Sequence, residues 1–393
     1  MAVTLIKNGK VITPFRMLKD GYVVFEDGII RDVGTGEPGA LGAHETVDAG
    51  GLYVSPGFID IHTHGGGGYD YMDNDVESYH GAARTHLCFG TTTIVPTTLT
   101  STNEELKSSL ETFKKAKYMP HDGAYLHGMH LEGPYFSMAN KGAQDPRYIR
   151  DPQPEEYNEI LSWSDEIVRW SIAPELPGAL ALGRELRRRG IVASAGHTDA
   201  ECCQGLEAFE HGFTLLTHFY SAMQGCRRIN AFRHAGMVEA GYLMDECDVE
   251  IIADGCHLPE DCLRLIYQTK GAQHICLITD SLRPAGTDVK ESIIGSKENG
   301  NPVIIEDGVA KLPDRTAFAG SIATTNRLVR NMIELADVPL TQAVRMASAT
   351  PARVMGMTNK GRISPDYQAD ILFFDQNIDV SAVYLNGELK FSK

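Results

Sequence analysis

Eight short runs of apolar or β-branched residues, most of them separated by stretches of helical pattern, constrain this chain more than any other feature. They are Gly57–His64 (GFIDIHTH), Thr91–Thr98, Ala124–Pro134, Val168–Glu175, Ile191–Thr198, Thr214–Tyr220, Val249–His257 and Ile275–Ser281. Between the fourth and fifth, GALALGRELRRRG sets Ala179, Leu182 and Leu186 at helical spacing. After the seventh, PEDCLRLIYQTKG opens on proline and closes on glycine, the punctuation of a helix. Strand and helix alternating eight times predict an α/β fold, a (β/α)8 TIM barrel.

The chain ends have another style. TLIKNGKVITP, GYVVFEDGIIRDVG and ETVDAGGLYVSPG read as short strands with Asn-Gly and Asp-Gly turns, and QADILFFD and VSAVYLNGELKF repeat the pattern near the C-terminus. The expected organisation is a small β-sandwich domain from residues 1–55 and 356–393, with the barrel over 56–355. Glu298–Leu312 reads as a hairpin-like insertion after the eighth strand. A length of 393 residues suits one large domain plus a small one.

A net charge of −16 argues against nucleic acid or an anionic membrane as partner, and an anionic substrate would need a cationic pocket of its own. No run of about 18 apolar residues suggests a membrane span, and the first ten residues lack the apolar core of a signal peptide. Eight cysteines without a C-x-x-C pair fit reduced thiols, so a cytoplasmic protein is expected.

Ligand-type residues gather at one end of the runs. His62 and His64 close the first, Glu132 the third, His197 the fifth, His218 the sixth, His257 the seventh and Asp280 the eighth. Residues two apart on a strand share a face, so His62 and His64 point the same way. In a parallel barrel the C-terminal strand ends carry the chemistry, whereas histidines of a packed core would scatter along the strands. Imidazole and carboxylate suit zinc or iron at about 2.0–2.2 Å. Five candidate ligands, His62, His64, Glu132, His197 and His218, exceed the need of one ion, so two divalent ions sharing Glu132 fit as well as one. Such an ion lowers the pKa of water to about 7. Asp280 is then the candidate acid/base. His257 is read as a substrate contact, with a structural role beside the ligands as the alternative. Glu175, His127 and His130 read as structural, His130 on the Glu132 side of its strand and one layer deeper. The RELRRRG cluster reads as a solvated helix face.

The ordered set GFIDIHTHG, HLEGPYF, SAGHTDA, THFYSAM, ADGCHL and ITDSLRPAG resembles the amidohydrolase superfamily and, within it, the N-acetylglucosamine-6-phosphate deacetylase family. The resemblance runs over nearly the whole chain. It implies hydrolysis of the N-acetyl group of an amino-sugar phosphate, releasing acetate and a free amine. Residue by residue, Glu132, His197 and His218 match the core metal ligands and Asp280 the acid/base. His62 and His64 match members that keep both first-strand histidines. Ala143, Ser221, Ala222, His257 and the backbone of Phe318, Ala319 and Gly320 fall where the family contacts substrate, and the glycines after His64 make a tight loop beside metal and sugar. Three features depart from the pattern: Ser221 stands for a usual asparagine, Gln144 for a histidine of some members, and the loop QGCRRINAFRHAG is lengthened. In that loop Arg233 best fits the register of the phosphate-binding arginine, with Arg227 and Arg228 as rivals. Family members can supply this arginine from the neighbouring subunit, which implies a homodimer. Rival readings are deacetylation of another sugar such as N-acetylgalactosamine 6-phosphate, another amide hydrolysis on the same scaffold, and a non-catalytic sugar-phosphate sensor.

Overall fold

The structure, a computed structural model, describes residues 3–36, 38–39 and 43–393; the first two residues of the N-terminal stretch lie outside it. Its centre is a curled parallel sheet. The strands are β1 (Phe58–Thr63), β2 (Thr91–Pro96), β3 (Met129–Glu132), β4 (Ile167–Ile172), β5 (Val192–Ala195), β6 (Phe213–Leu216), β7 (Asp248–Ile251) and β8 (Ile275–Leu277). β1 pairs with β2, and β3 to β8 pair in chain order, all parallel. Single parallel bridges join Thr97 to His130 and Thr63 to Ser281, linking the end of β2 to β3 and β1 to the chain after β8. The third apolar run is divided: Tyr125–Leu126 pairs with β2 before β3 begins.

Strands covered on both faces are buried along their whole length, and every residue of β1 and β2 is buried, the polar Asp60, Thr91, Thr92 and Thr93 included. The helix Ala179–Arg189 buries Ala179, Leu182 and Leu186, the residues its spacing singled out, and ends at Gly190 in the left-handed region. Arg188 and Arg189 pair with Glu185 on its outer side, as expected of a solvated face. The second expected helix runs Glu260–Lys270, between Pro259 and Gly271. These helices pack their apolar stripes on the sheet in one large cluster with Trp170, Phe213 and Leu216.

Strands from both chain ends form one sheet of eight, in which Ile371–Phe374 pairs with Tyr53–Pro56 and so ties the C-terminus to the N-terminus. Ile6, Val23, Ile30, Val54 and Ile371 build its own apolar cluster. Asp27-Gly28 and Asn386-Gly387 take positive φ at both residues and close hairpins. Asn8-Gly9 does not close a turn. It is a bulge inside the strand Val3–Ile12, where a Cβ on Gly9 would lie 2.5 Å from a Val54 methyl. The insertion after β8 is larger than a hairpin. Glu291–Ile294, Asn301–Glu306, Val309–Lys311 and Phe318–Gly320 form a four-stranded antiparallel sheet, and a bridge from Ser321 to Ser281 sets its last strand beside the end of β8. Among the described residues no helix is long and apolar enough to cross a membrane.

Candidate metal centre and active site

The C-terminal strand ends converge on Glu132, which closes β3 and is 2% exposed. Its Oε1 lies 3.4 Å from His62 Nε2, 3.3 Å from His197 Nε2 and 3.1 Å from His218 Nε2. Its Oε2 lies 3.4 Å from His64 Nε2 and accepts from Gln144 Nε2 at 2.7 Å. Asp280 Oδ1 stands 3.1 Å from His64 Nε2 and 3.4 Å from His62 Nε2. His197, His218 and Asp280 lie just past their strands with φ of 49°, 29° and 48°. Non-glycine residues avoid this left-handed region, and such strain collects at functional sites. It turns three side chains inward that an extended strand would carry past.

Two groups of three donors each lie within 4.8 Å of one another: His62, His64 and Glu132, and Glu132, His197 and His218. Whether they suit a cation follows from where the ring protons sit. The Nδ1 atoms of His64, His197 and His218 face the carbonyls of Thr97, Asn140 and Ser221 at 3.2, 2.9 and 3.1 Å. A carbonyl only accepts, so Nδ1 carries the proton and each Nε2 presents a lone pair to the Glu132 carboxylate. His197 and His218 even set Nε2 against Nε2 at 3.1 Å. Among the described residues, buried His62 Nε2 has no hydrogen-bond partner. Lone pairs converging on an acceptor-only carboxylate need a positive charge among them, and a divalent cation fits that donor set. Without one, protons take the place. Burial alone would strip His62 and His64, but the Glu132 and Asp280 charges outweigh it and raise them to about 9 and about 10. Glu132 is correspondingly held well below the usual carboxylate range: burial opposes this, but the His62 charge and the histidine hydrogen bonds prevail.

Above these groups opens a cavity of about 340 Å³. His64, Glu132, His197, His218 and Asp280 form its polar side, and Ala143, Ser221, Ala222, His257, Phe318, Ala319 and Gly320 all line it. His257 Nδ1 donates to Asp254 at 2.8 Å, leaving Nε2 as the ring nitrogen for a ligand, and Phe318 packs on the ring at 4.9 Å. Gln144 lines the cavity too and is spent on Glu132 and on the Thr100 N–H. Arg233 is not brought in: it is exposed on the hairpin of Arg227–Ile229 and Phe232–His234, directly across from Arg228, while Arg227 pairs with Asp199 at 2.6 Å. The glycine loop is as tight as expected, since a Cβ on Gly65 would meet the Tyr69 carbonyl at 2.1 Å. It docks on Arg283 and Ala285 through backbone bonds, however, and lines no part of the cavity.

Glu175 accepts from the Thr198 hydroxyl and the Asp199 N–H, bracing the loop that carries His197. His130 lies under the ligands, its ring 4.7 Å from that of His62 and bonded to Ser171 and Thr97, and burial pushes its pKa well down. Two further charged residues, on β4 and β7, sit at the same depth. Glu250 meets His62 Nδ1 at 3.3 Å, and Arg169 is paired with Glu250, all three fully buried. Charged residues inside apolar strands were the only signal for them.

Curled parallel strands that present imidazoles and carboxylates to a cavity at their C-terminal ends define an α/β protein with a divalent-metal donor set. The amidohydrolase family model matches residues 53–390, and the chain belongs to that family. It is 32% identical to an N-acetylglucosamine-6-phosphate deacetylase of Vibrio furnissii, over 88% of this chain and 85% of the relative. It is 30% identical to an N-acetylgalactosamine-6-phosphate deacetylase of Escherichia coli O157:H7, over 98% of both. Among solved structures, an aspartate-to-alanine variant of N-acetyl-D-glucosamine-6-phosphate deacetylase from Mycobacterium smegmatis, in complex with N-acetyl-D-glucosamine-6-phosphate, superimposes with a TM-score of 0.90 at 30% identity, covering 100% of both chains.

Proposed function

We propose that the protein hydrolyses the N-acetyl group of N-acetylglucosamine 6-phosphate, giving glucosamine 6-phosphate and acetate. One observation carries the reading: four histidine Nε2 atoms surround Glu132, with Asp280 beside two of them, at the foot of a cavity sized for a sugar. The architecture we assign is a closed (β/α)8 barrel over 56–355, sealed by the two single bridges, with a β-sandwich from 1–55 and 356–393; the separate apolar cluster of the terminal sheet supports the division.

One or two divalent ions, zinc or iron, would be held by His62, His64 and Glu132 and by Glu132, His197 and His218. When bound, the metal polarises the acetyl carbonyl and makes water acidic enough to deprotonate near neutrality. Asp280 takes the proton of the attacking water and delivers it to the sugar nitrogen as the amide C–N bond breaks. His257, its Nδ1–H committed to Asp254, accepts from a sugar hydroxyl through Nε2. Ala143, Ser221, Ala222 and the Phe318–Gly320 backbone shape the wall against the sugar. The phosphate is met by Arg233 of a second subunit in a homodimer. The support is an exposed hairpin that carries Arg233 and Arg228 next to Phe232, itself 75% exposed. Eight free cysteines agree with a cytoplasmic location.

The relative acting on N-acetylgalactosamine 6-phosphate supports a second reading, in which the epimeric sugar is preferred. Values of kcat/KM for both phosphorylated sugars and for free N-acetylglucosamine decide. The expected parent prefers N-acetylglucosamine 6-phosphate, and Arg233→Ala weakens its use by about 2–4 kcal/mol in transition-state terms while sparing the free sugar. Mixing Arg233→Ala with an Asp280 variant restores part of the activity if the arginine crosses the interface. A parent indifferent to the phosphate refutes the substrate assignment. A neutral Arg233→Ala moves the role to Arg227 or Arg228.

A further inference from the structure

The four ligand-type histidines are not held alike. Three rest their Nδ1 on backbone carbonyls, but His62 rests its on the Glu250 carboxylate, 3.3 Å away. A carboxylate behind an imidazole fixes the ring, sets the tautomer and makes the far nitrogen a stronger donor. That far nitrogen, His62 Nε2, is buried and makes no hydrogen bond among the described residues. Glu250 Oε2 also receives the His218 backbone N–H at 3.3 Å, so one carboxylate oxygen touches two of the strand ends that carry ligands.

Glu250 is itself clamped. Arg169, on β4, grips both its oxygens, with Nη2 to Oε2 at 2.8 Å and Nη1 on Oε1. The same guanidinium donates to the Ile61 carbonyl, Ser194 Oγ and Thr217 Oγ1, each at 3.1 Å. Its partners therefore lie on β1, β5 and β7 and just past the end of β6, across the interior of the sheet. A fully buried ion pair is a poor device for stability, because well-packed apolar residues do as well or better. Its place directly behind His62 supplies another reason for it.

Resting on the metal reading above, we propose that Glu250, clamped by Arg169, is a positioning residue that makes His62 a competent ligand and so completes the His62, His64 and Glu132 site as a second cation site. In the Glu132, His197 and His218 site the imidazoles hang on carbonyls, and Glu250 reaches that site only through the His218 backbone N–H.

The test is metal binding, not turnover. Metal-free parent, Glu250→Gln and Glu250→Asp proteins are titrated with zinc against a chromogenic chelator, and bound ions are counted by elemental analysis. The amide of Glu250→Gln keeps the volume but loses the charge; Glu250→Asp keeps the charge but draws it back by one methylene. Two ions are expected in the parent. Either variant should hold one of them about 10–100-fold more weakly and affect the other far less. In a His62→Ala background, Glu250→Gln should cause no further loss, because the ring it acts through is gone. Unchanged affinities, equal weakening of both ions, an undiminished effect in the His62→Ala background or a parent that binds a single ion each overturn the proposal. Should Glu250→Gln fail to fold, Glu250→Asp alone carries the same comparison. Because no substrate enters, a wrong sugar assignment leaves this result standing, whereas a parent that binds no divalent ion overturns the metal reading itself.

Discussion

Asp280→Asn separates the proposed proton carrier from the proposed metal ligands. The backbone at 280 is pinned from both sides: its N–H donates to the His62 carbonyl and its carbonyl accepts from Ser321, both at 2.9 Å. The amide can therefore occupy the position of the carboxylate, and an oxygen can stay at the Oδ1 position, 3.1 Å from His64 Nε2. What is lost is the base. Burial would raise the Asp280 pKa, but in the metal-free protein the protonated His62 and His64 outweigh it and hold the carboxyl below its ordinary range; a bound cation would supply the same positive charge, so the base stays ionised at neutral pH. Removing a general acid/base costs on the order of 10²–10⁴ in rate, which is about 3–5 kcal/mol at 1.36 kcal/mol per decade. Asp280 stands outside both three-donor groups, so the metal count should not change. Acetate release by purified, metal-loaded enzyme gives kcat and KM between about pH 6 and 9, a range that lies above the ordinary carboxylate pKa of about 4. The expected outcome is a fall in kcat with KM within a few-fold of the parent. Near-parental turnover places the base elsewhere, and a matching loss of metal makes Asp280 a ligand; either result refutes the reasoning.

Two further outcomes follow. Glu132→Ala removes the one carboxylate common to both donor groups, so elemental analysis should find metal content well below the parent; unchanged content rejects Glu132 as the shared ligand. The metal-free protein should lose stability in mild acid. Burial pushes His86 down to about 4 from the 6.5 of a free side chain, so the unfolded chain binds its proton first as pH falls. That stability is complete above about 6.5 and is lost on the way to about 4, up to roughly 3 kcal/mol. Denaturant midpoints should fall over that window, and less steeply for His86→Gln; equal slopes would show that His86 does not contribute.

The residues themselves determined what depends on near neighbours in the chain. Leu182 and Leu186 are buried because a 3.6-residue period puts them on one helix face. His62 and His64 share a face because a strand has a period of two. Asp27-Gly28 and Asn386-Gly387 turn because both residues tolerate positive φ. The same preference at Asn8-Gly9 was spent on a bulge, because Val54, brought alongside from another strand, left no room for a side chain. That Glu132, His197, His218 and Asp280 belong together could be read from their common place at run ends. Which of Arg227, Arg228 and Arg233 would suit a phosphate could not, since that depends on which way one hairpin faces. The buried pair of Arg169 and Glu250 was silent as well. Its partners are 81 residues apart, and a charge inside an apolar strand is tolerable only once the fold supplies its counter-charge. Local backbone preference is written residue by residue, but the partner that satisfies a buried charge exists only after the sheet has curled and brought β1, β4 and β7 around one interior.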